Sequence, residues 1–99
     1  MDVKSLMEKA KTLQAKVAAA QEQLGETVVK GIAGNGMVIV AMTGKYDLVK
    51  LTINPDLLKE DIETVTAMIT AAFNDAKVKV DATIDKVMGD ATAGMPLPQ

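Results

Sequence analysis

Apolar residues recur along this chain with two different periods, and the switches between them mark out its elements. From Val3 to Leu24 they fall at Val3, Leu6, Ala10, Leu13, Val17, Ala20 and Leu24, the alternation of threes and fours that makes a heptad seam on a helix. Gly25 stands where a helix C-cap adopts the left-handed conformation. From Thr27 to Ile53 the period falls to two, and three strands are predicted: Thr27 to Ala33, Met37 to Thr43 and Tyr46 to Ile53. Asn35-Gly36 supplies the positive φ at both central residues that a type I′ hairpin turn demands, and Gly44-Lys45, with glycine first, suits a type II′ turn. The result is an antiparallel meander. Asn54-Pro55-Asp56 ends it, with Leu57 and Leu58 predicted to tuck against the core edge. Glu60, Asp61 and Glu63 then place negative charge at the start of a second helix, where the helix dipole favours it. Its apolar positions are Ile62, Val65, Ile69, Phe73, Ala76, Val80, Ile84 and Val87, widened by Met68 and Ala72, and it is predicted to fade at Gly89. Residues 1–92 thus read as one α+β domain of order α-β-β-β-α, and Ala93-Gly94-Met95-Pro96-Leu97-Pro98-Gln99 as a flexible tail.

The alternation also predicts what each face of the sheet meets. Val38, Val40 and Met42 with Val49, Leu51 and Ile53 form a continuous aliphatic surface for the helices to cover. The other face carries Met37, Ile39, Ala41, Tyr46 and Leu48 beside Thr43, Lys50 and Thr52, too apolar for a sheet with one wet side. Two open sheet edges add to the case for a partner. The expectation is a homodimer that continues or covers the sheet, with Met37, Ile39, Ala41, Tyr46 and Leu48 at its interface; the alternative is a monomer with a mildly apolar outer face. At about 1.5 Å per residue the helices run about 33 Å and about 42 Å, against about 25 Å for a strand. Their ends should therefore project as arms, and the small Ala10 and Ala20 predict close approach by another helix.

Composition narrows the chemistry. The 99 residues include no cysteine or histidine, and Tyr46 and Phe73 are the only aromatic residues. The usual general base, soft metal ligands and strong nucleophile are missing, and the acids at the start of the second helix are explained by capping. Gly31, Gly34 and Gly36 lie between strands with no following helix, so hairpin geometry accounts for them better than a phosphate loop does. The reading is non-enzymatic, and no cofactor is implied. No apolar run is long enough to span a bilayer and no signal-peptide core follows Met1-Asp2-Val3-Lys4, which places the protein in the cytoplasm. The formal net charge is −2, with eleven lysines and no arginine, an unusual balance for a nucleic-acid binder. The charge is polarised, however. Lys4, Lys9, Lys11 and Lys16 against Asp2 and Glu8 leave residues 1–20 at +2, whereas Lys59 against Asp56, Glu60, Asp61, Glu63 and Asp75 leaves residues 54–76 at −4. Lys4 and Lys11 are one heptad apart, as are Lys9 and Lys16, so two lysine pairs flank the apolar seam. On the second helix Lys79 and Lys86 share a face, offset by Asp75, Asp81, Asp85 and Asp90.

Several stretches together resemble the YbaB/EbfC family of bacterial nucleoid-associated proteins. They are the heptad helix beginning Ser5-Leu6-Met7, Gly34-Asn35-Gly36-Met37-Val38 leading to Thr43-Gly44-Lys45, Ile53-Asn54-Pro55-Asp56-Leu57-Leu58, Ile69-Thr70-Ala71-Ala72-Phe73-Asn74-Asp75-Ala76, and Gly94-Met95-Pro96-Leu97-Pro98. The resemblance implies a dimer joined through its sheet, helical arms like tweezers, and a nucleoid DNA-binding role in chromosome organisation or gene regulation. Asn54-Pro55 replaces the family's frequent Asp-Pro and keeps the turn chemistry. Lys45, Lys77 and Lys79 stand where the family often carries arginine, and lysine lacks the planar fork that reads guanine. The expectation is salt-sensitive, largely sequence-indifferent binding of double-stranded DNA by Lys4, Lys9, Lys11 and Lys16, with Lys77, Lys79 and Lys86 as secondary contacts. The rival is a dimeric protein-interaction module whose apolar arms hold a partner helix or unfolded segment, with DNA binding incidental.

Overall fold

The structure, a computed structural model, describes residues 2–93; the Met-Pro-Leu-Pro stretch of the expected tail lies outside them. The elements are α1 (Val3–Glu26), β1 (Val28–Ala33), β2 (Val38–Thr43), β3 (Leu48–Ile53) and α2 (Ile62–Ala91), with single 3₁₀ turns at Gly34–Gly36 and Pro55–Lys59. The strands form one antiparallel sheet in the order β1-β2-β3. The fold is α+β with the predicted α-β-β-β-α order.

Local chemistry settles the first hairpin. Asn35 (φ 56°) and Gly36 (φ 95°) occupy the two central positions, and the Met37 N–H closes the turn on the Gly34 carbonyl at 3.2 Å, as a type I′ turn requires. The second hairpin departs from the prediction. Gly44 has no positive φ; the left-handed residue is Tyr46 (φ 65°). The Tyr46 N–H donates to the Thr43 carbonyl (3.0 Å) and the Thr43 N–H to the Asp47 carbonyl (2.9 Å), which is a three-residue loop with its last residue left-handed. Tyr46 is thus in the loop and β3 starts at Leu48. The longer loop would turn Lys50 inward, but a bulge corrects it. Met42 stands opposite Leu48 and Ala41 opposite Lys50, leaving Val49 as the extra residue, so Leu51 and Ile53 return to the inner face and Lys50 stays outside. Val49 does not join that face as the alternation predicted; Leu48 takes its place.

The core lies between α2 and the inner faces of β1 and β2. Val38, Val40 and Met42 are buried there against Val65, Ala72, Ala76 and Val80. The apolar stripe of α2 is centred on its alanines: Phe73 remains 42% exposed and Ile62 75% exposed. The reason is Gly31. A Cβ on Gly31 would lie 2.0 Å from the Ala72 carbonyl oxygen and 2.4 Å from the Ala76 nitrogen, so α2 rests on the bare backbone of β1 and only small residues fit at the crossing. Leu57 fills the end of this core, held by the Asn54 side chain that accepts from the Asp56 N–H (2.9 Å). Leu58, expected beside it, is exposed.

α1 docks on the other end of the sheet. Gly25 is an ordinary helical residue and Thr27 is the C-cap. The C-terminal carbonyl of Leu24 is satisfied by the Gly44 N–H at 2.9 Å, and a Cβ on Gly44 would meet that carbonyl at 2.6 Å. Close approach, not turn geometry, is the reason for glycine at this position. From there α1 runs outward beside the C-terminal part of α2, which continues past Gly89 to Ala91. The molecule measures 68 × 24 × 16 Å with a radius of gyration of 19.2 Å, well above the ~13 Å of a compact domain this size.

Candidate nucleic-acid interface

The projecting part of α1 carries the lysines that charge patterning singled out. Asp2 caps the helix, its carboxylate accepting from the Lys4 N–H at 3.1 Å. Ala20 and Leu24 are buried where α1 meets α2 and the sheet. Towards the N-terminus cover is lost, and Val3 to Thr12 are exposed apart from half-buried Ser5. Lys4, Lys9, Lys11 and Lys16 are all exposed. Lys16 borders a shallow groove between the helices that Asp90 also lines. Among the described residues, none of these four pairs with a carboxylate within 4.0 Å; the ion pairs are Lys59–Asp56 and Lys79–Asp75. Such an arm presents mobile point charges along a rod, which suits attraction to a phosphate backbone and does not suit reading of base edges.

On α2, Lys77 and Lys86 are exposed and unpaired among the described residues. Lys79 is different. Its Nζ donates to the Lys30 carbonyl at 2.8 Å and lies 3.1 Å from the Asp75 carboxylate. That carboxylate also accepts the Ile32 N–H at 2.9 Å. Lys30 and Ile32 face outward from β1, the edge strand, so Asp75 and Lys79 occupy two of the hydrogen-bonding groups that a further strand would use, the Ile32 N–H and the Lys30 carbonyl. The Ile32 N–H, and then Lys79, hold the Asp75 carboxyl below its ordinary range. Lys79 is thereby placed as a structural group. Across the molecule, the Tyr46 hydroxyl donates to the Asp81 carboxylate, tying the second hairpin loop to α2. That bond, together with desolvation and the negative charges of Asp81 and Asp85, pushes the Tyr46 phenol up.

The five residues read onto the outer sheet face do not share it. Ile39 and Ala41 lie there, opposite Ile32 and Lys30. Met37 precedes β2 with helical φ and packs against the core, Tyr46 points to α2, and Leu48 lies opposite Met42 on the inner side. Sequence reasoning missed a second feature. Leu48, Leu51 and Ile53 project from the inner side of β3, but α2 packs on β1 and β2, and Leu51 stays 42% exposed. Leu48 is exposed as well, whereas Ile53 is half-buried against the core. Lys30 and Lys50 were also missed as a pair, because only the register puts them on one face.

The model of the YbaB/EbfC DNA-binding family matches residues 1–95. The chain belongs to that family. Among similar proteins, a nucleoid-associated protein of Gluconobacter oxydans (strain 621H) is 45% identical over 94 residues, covering 94% of this chain and 88% of the relative. Another from Xanthomonas campestris pv. campestris (strain B100) is 44% identical over 97 residues, covering 98% and 91%. The crystal structure of an uncharacterized protein from Helicobacter pylori superposes with a TM-score of 0.80 at 26% identity, covering 91% of this chain and 96% of that one. YbaB/EbfC membership agrees with a non-enzymatic role, and no helix among the described residues is long and apolar enough to cross a membrane.

Proposed function

We propose that this chain is a homodimeric, non-enzymatic DNA-binding protein of the bacterial nucleoid that grips duplex phosphates with low sequence specificity. The observation that carries the reading is the arm: an exposed helix beyond the globular part, bearing Lys4, Lys9, Lys11 and Lys16 free of ion pairs among the described residues, in a chain of the YbaB/EbfC DNA-binding family. Lys77 and Lys86 supplement them; Lys79 is held at the β1 edge. Dimerisation is supported by the exposed apolar side chains of Leu48 and Leu51 on the inner side of β3. Exposed contiguous apolar surface of this kind marks contacts, and β3 keeps a free edge beside it. A second copy covers both and doubles the arms.

The test is fluorescence anisotropy of a labelled, sequence-neutral duplex, titrated with protein at several salt concentrations, with the number of chains fixed by sedimentation. Each phosphate contact contributes about 0.9 to the slope of log K against log salt. Lys9→Glu with Lys16→Glu should lower affinity and flatten the slope by about 2 per bound chain while the dimer persists. Unchanged affinity and slope in that variant would remove the arm reading. A wild-type dimer that binds no duplex even at low salt would shift the case to the protein-interaction role, with the exposed α1 seam as the contact.

A further inference from the structure

The sheet contains two charged residues, Lys30 on β1 and Lys50 on β3, and no carboxylate in any strand. In the strand register both stand opposite Ala41 of β2, which puts them in one row across the outer face. Strands lie about 4.8 Å apart, so the two lysines leave the backbone about 10 Å from each other, on either side of a small residue. Both are exposed, and neither has a carboxylate within 4.0 Å among the described residues. Asp75, which reaches the β1 edge, is already committed to the Ile32 N–H and to Lys79.

We propose that this outer face is a second phosphate-contact surface, in which Lys30 and Lys50 take the backbone of the duplex held by the arms. The inference rests on the DNA-binding reading above. Charge complementarity selects the occupant. In a chain of net charge −2 the strand residues of this face carry positive charge alone, the nearest acid along the chain being Asp47, paired with Thr43 at the loop end, and covering the lysine row with a second copy would bury like charges against one another, which is costly. A polyanion instead pairs with both lysines without desolvating their stems. Ala41 keeps the middle of the row low, and the hydroxyls of Thr43 and Thr52 on the same face offer further donors to phosphate oxygens. The face is flat and carries no fork-shaped donor, so it adds affinity and orientation without base discrimination.

The experiment compares Lys30→Gln with Lys50→Gln against the arm variant Lys9→Glu with Lys16→Glu, all as full-length protein of checked helix content and chain number. Each is titrated with the same duplex across a salt series and with vesicles containing phosphatidylserine. The sheet variant is expected to flatten the salt slope by about 1.8 per bound chain, and Lys30→Arg with Lys50→Arg to restore it. A slope and affinity equal to wild type in the sheet variant, with the arm variant weakened, overturns the second surface and leaves the DNA reading intact. Loss of vesicle binding alone in the sheet variant overturns it in favour of a lipid surface. Wild-type protein that binds no duplex overturns both.

Discussion

Replacing Gly31 with alanine tests the packing on which the whole fold depends. Its φ is not in the left-handed region, so the backbone accepts a side chain and only space is at issue. The new methyl would stand 2.0 Å from the Ala72 carbonyl oxygen, 2.4 Å from the Ala76 nitrogen and 2.6 Å from the Ala76 Cβ. The first two are main-chain atoms in the middle of a helix and have no rotamer to retreat to. The helix must lift until the shortest contact reaches the 3.4 Å of ordinary packing, and lifting it also parts Ala72, Ala76 and Val80 from Val40 and Met42. Overpacking costs about 1–3 kcal/mol and occasionally more; the gain in strand propensity over glycine returns about 0.5–1 kcal/mol. Because the methyl meets helix backbone, a net loss of about 3 kcal/mol is expected, a large part of the ~5–15 kcal/mol that stabilises a domain of this length. Urea unfolding followed by helical circular dichroism, at matched chain concentration, reads it directly. Two controls separate the causes. Gly36→Ala, where nothing lies within 4 Å but φ is 95°, should cost only about 1 kcal/mol of backbone strain. Gly31→Ala combined with Ala76→Gly removes just the 2.6 Å contact and should recover little. A Gly31→Ala loss below that of Gly36→Ala, or full rescue by the second glycine, would refute the account.

Tyr46 is the only tyrosine and the chain has no tryptophan, so ultraviolet difference absorbance reports its ionisation alone. Its midpoint should lie above the ordinary phenol value and fall towards it in Asp81→Asn. Because the folded value is raised, the stability from this bond is present below the ordinary phenol pKa and lost as pH rises through the folded one; wild type should lose more stability in alkali than Asp81→Asn. Asp75 works in the opposite sense. Its folded value is depressed, so its contribution is full above the ordinary carboxylate range and lost as pH falls through the folded pKa. Hydrogen exchange of the Ile32 amide, normalised for solvent pH, should accelerate in acid, and Asp75→Ala should exchange fast at every pH; an unchanged rate in that variant would contradict the assigned bond.

What was legible in the sequence is what depends on neighbours in the chain. Asn35-Gly36 specifies its turn through backbone conformation alone, and the switch from heptad to alternating spacing separates helix from strand without tertiary help. The misreadings lie where distant backbone decides. Gly44 looked like a turn glycine but is small because the end of α1 presses on it. That contact accompanies a longer loop, which displaces Tyr46 from the strand, shifts the register of β3 and makes a bulge necessary at Val49. Phe73 looked like core because its spacing is helical, yet Gly31 fixes α2 so that alanines face the sheet. The exposure of Lys4, Lys9, Lys11 and Lys16 was legible because a projecting helix has few tertiary neighbours to override its pattern. Lys30 and Lys50 were not, since twenty residues separate them in sequence and only pairing through Ala41 brings them together.

The occupied edge of β1 sets a limit on size. A sheet open on both sides has no reason to stop at two chains: each copy could accept one neighbour and offer itself to the next, as a fibre does. Asp75 and Lys79 give the chain one used side and one free side. If two copies join by the free β3 sides as proposed above, only the β1 sides that carry these two bonds stay exposed, and the assembly is expected to end at a pair.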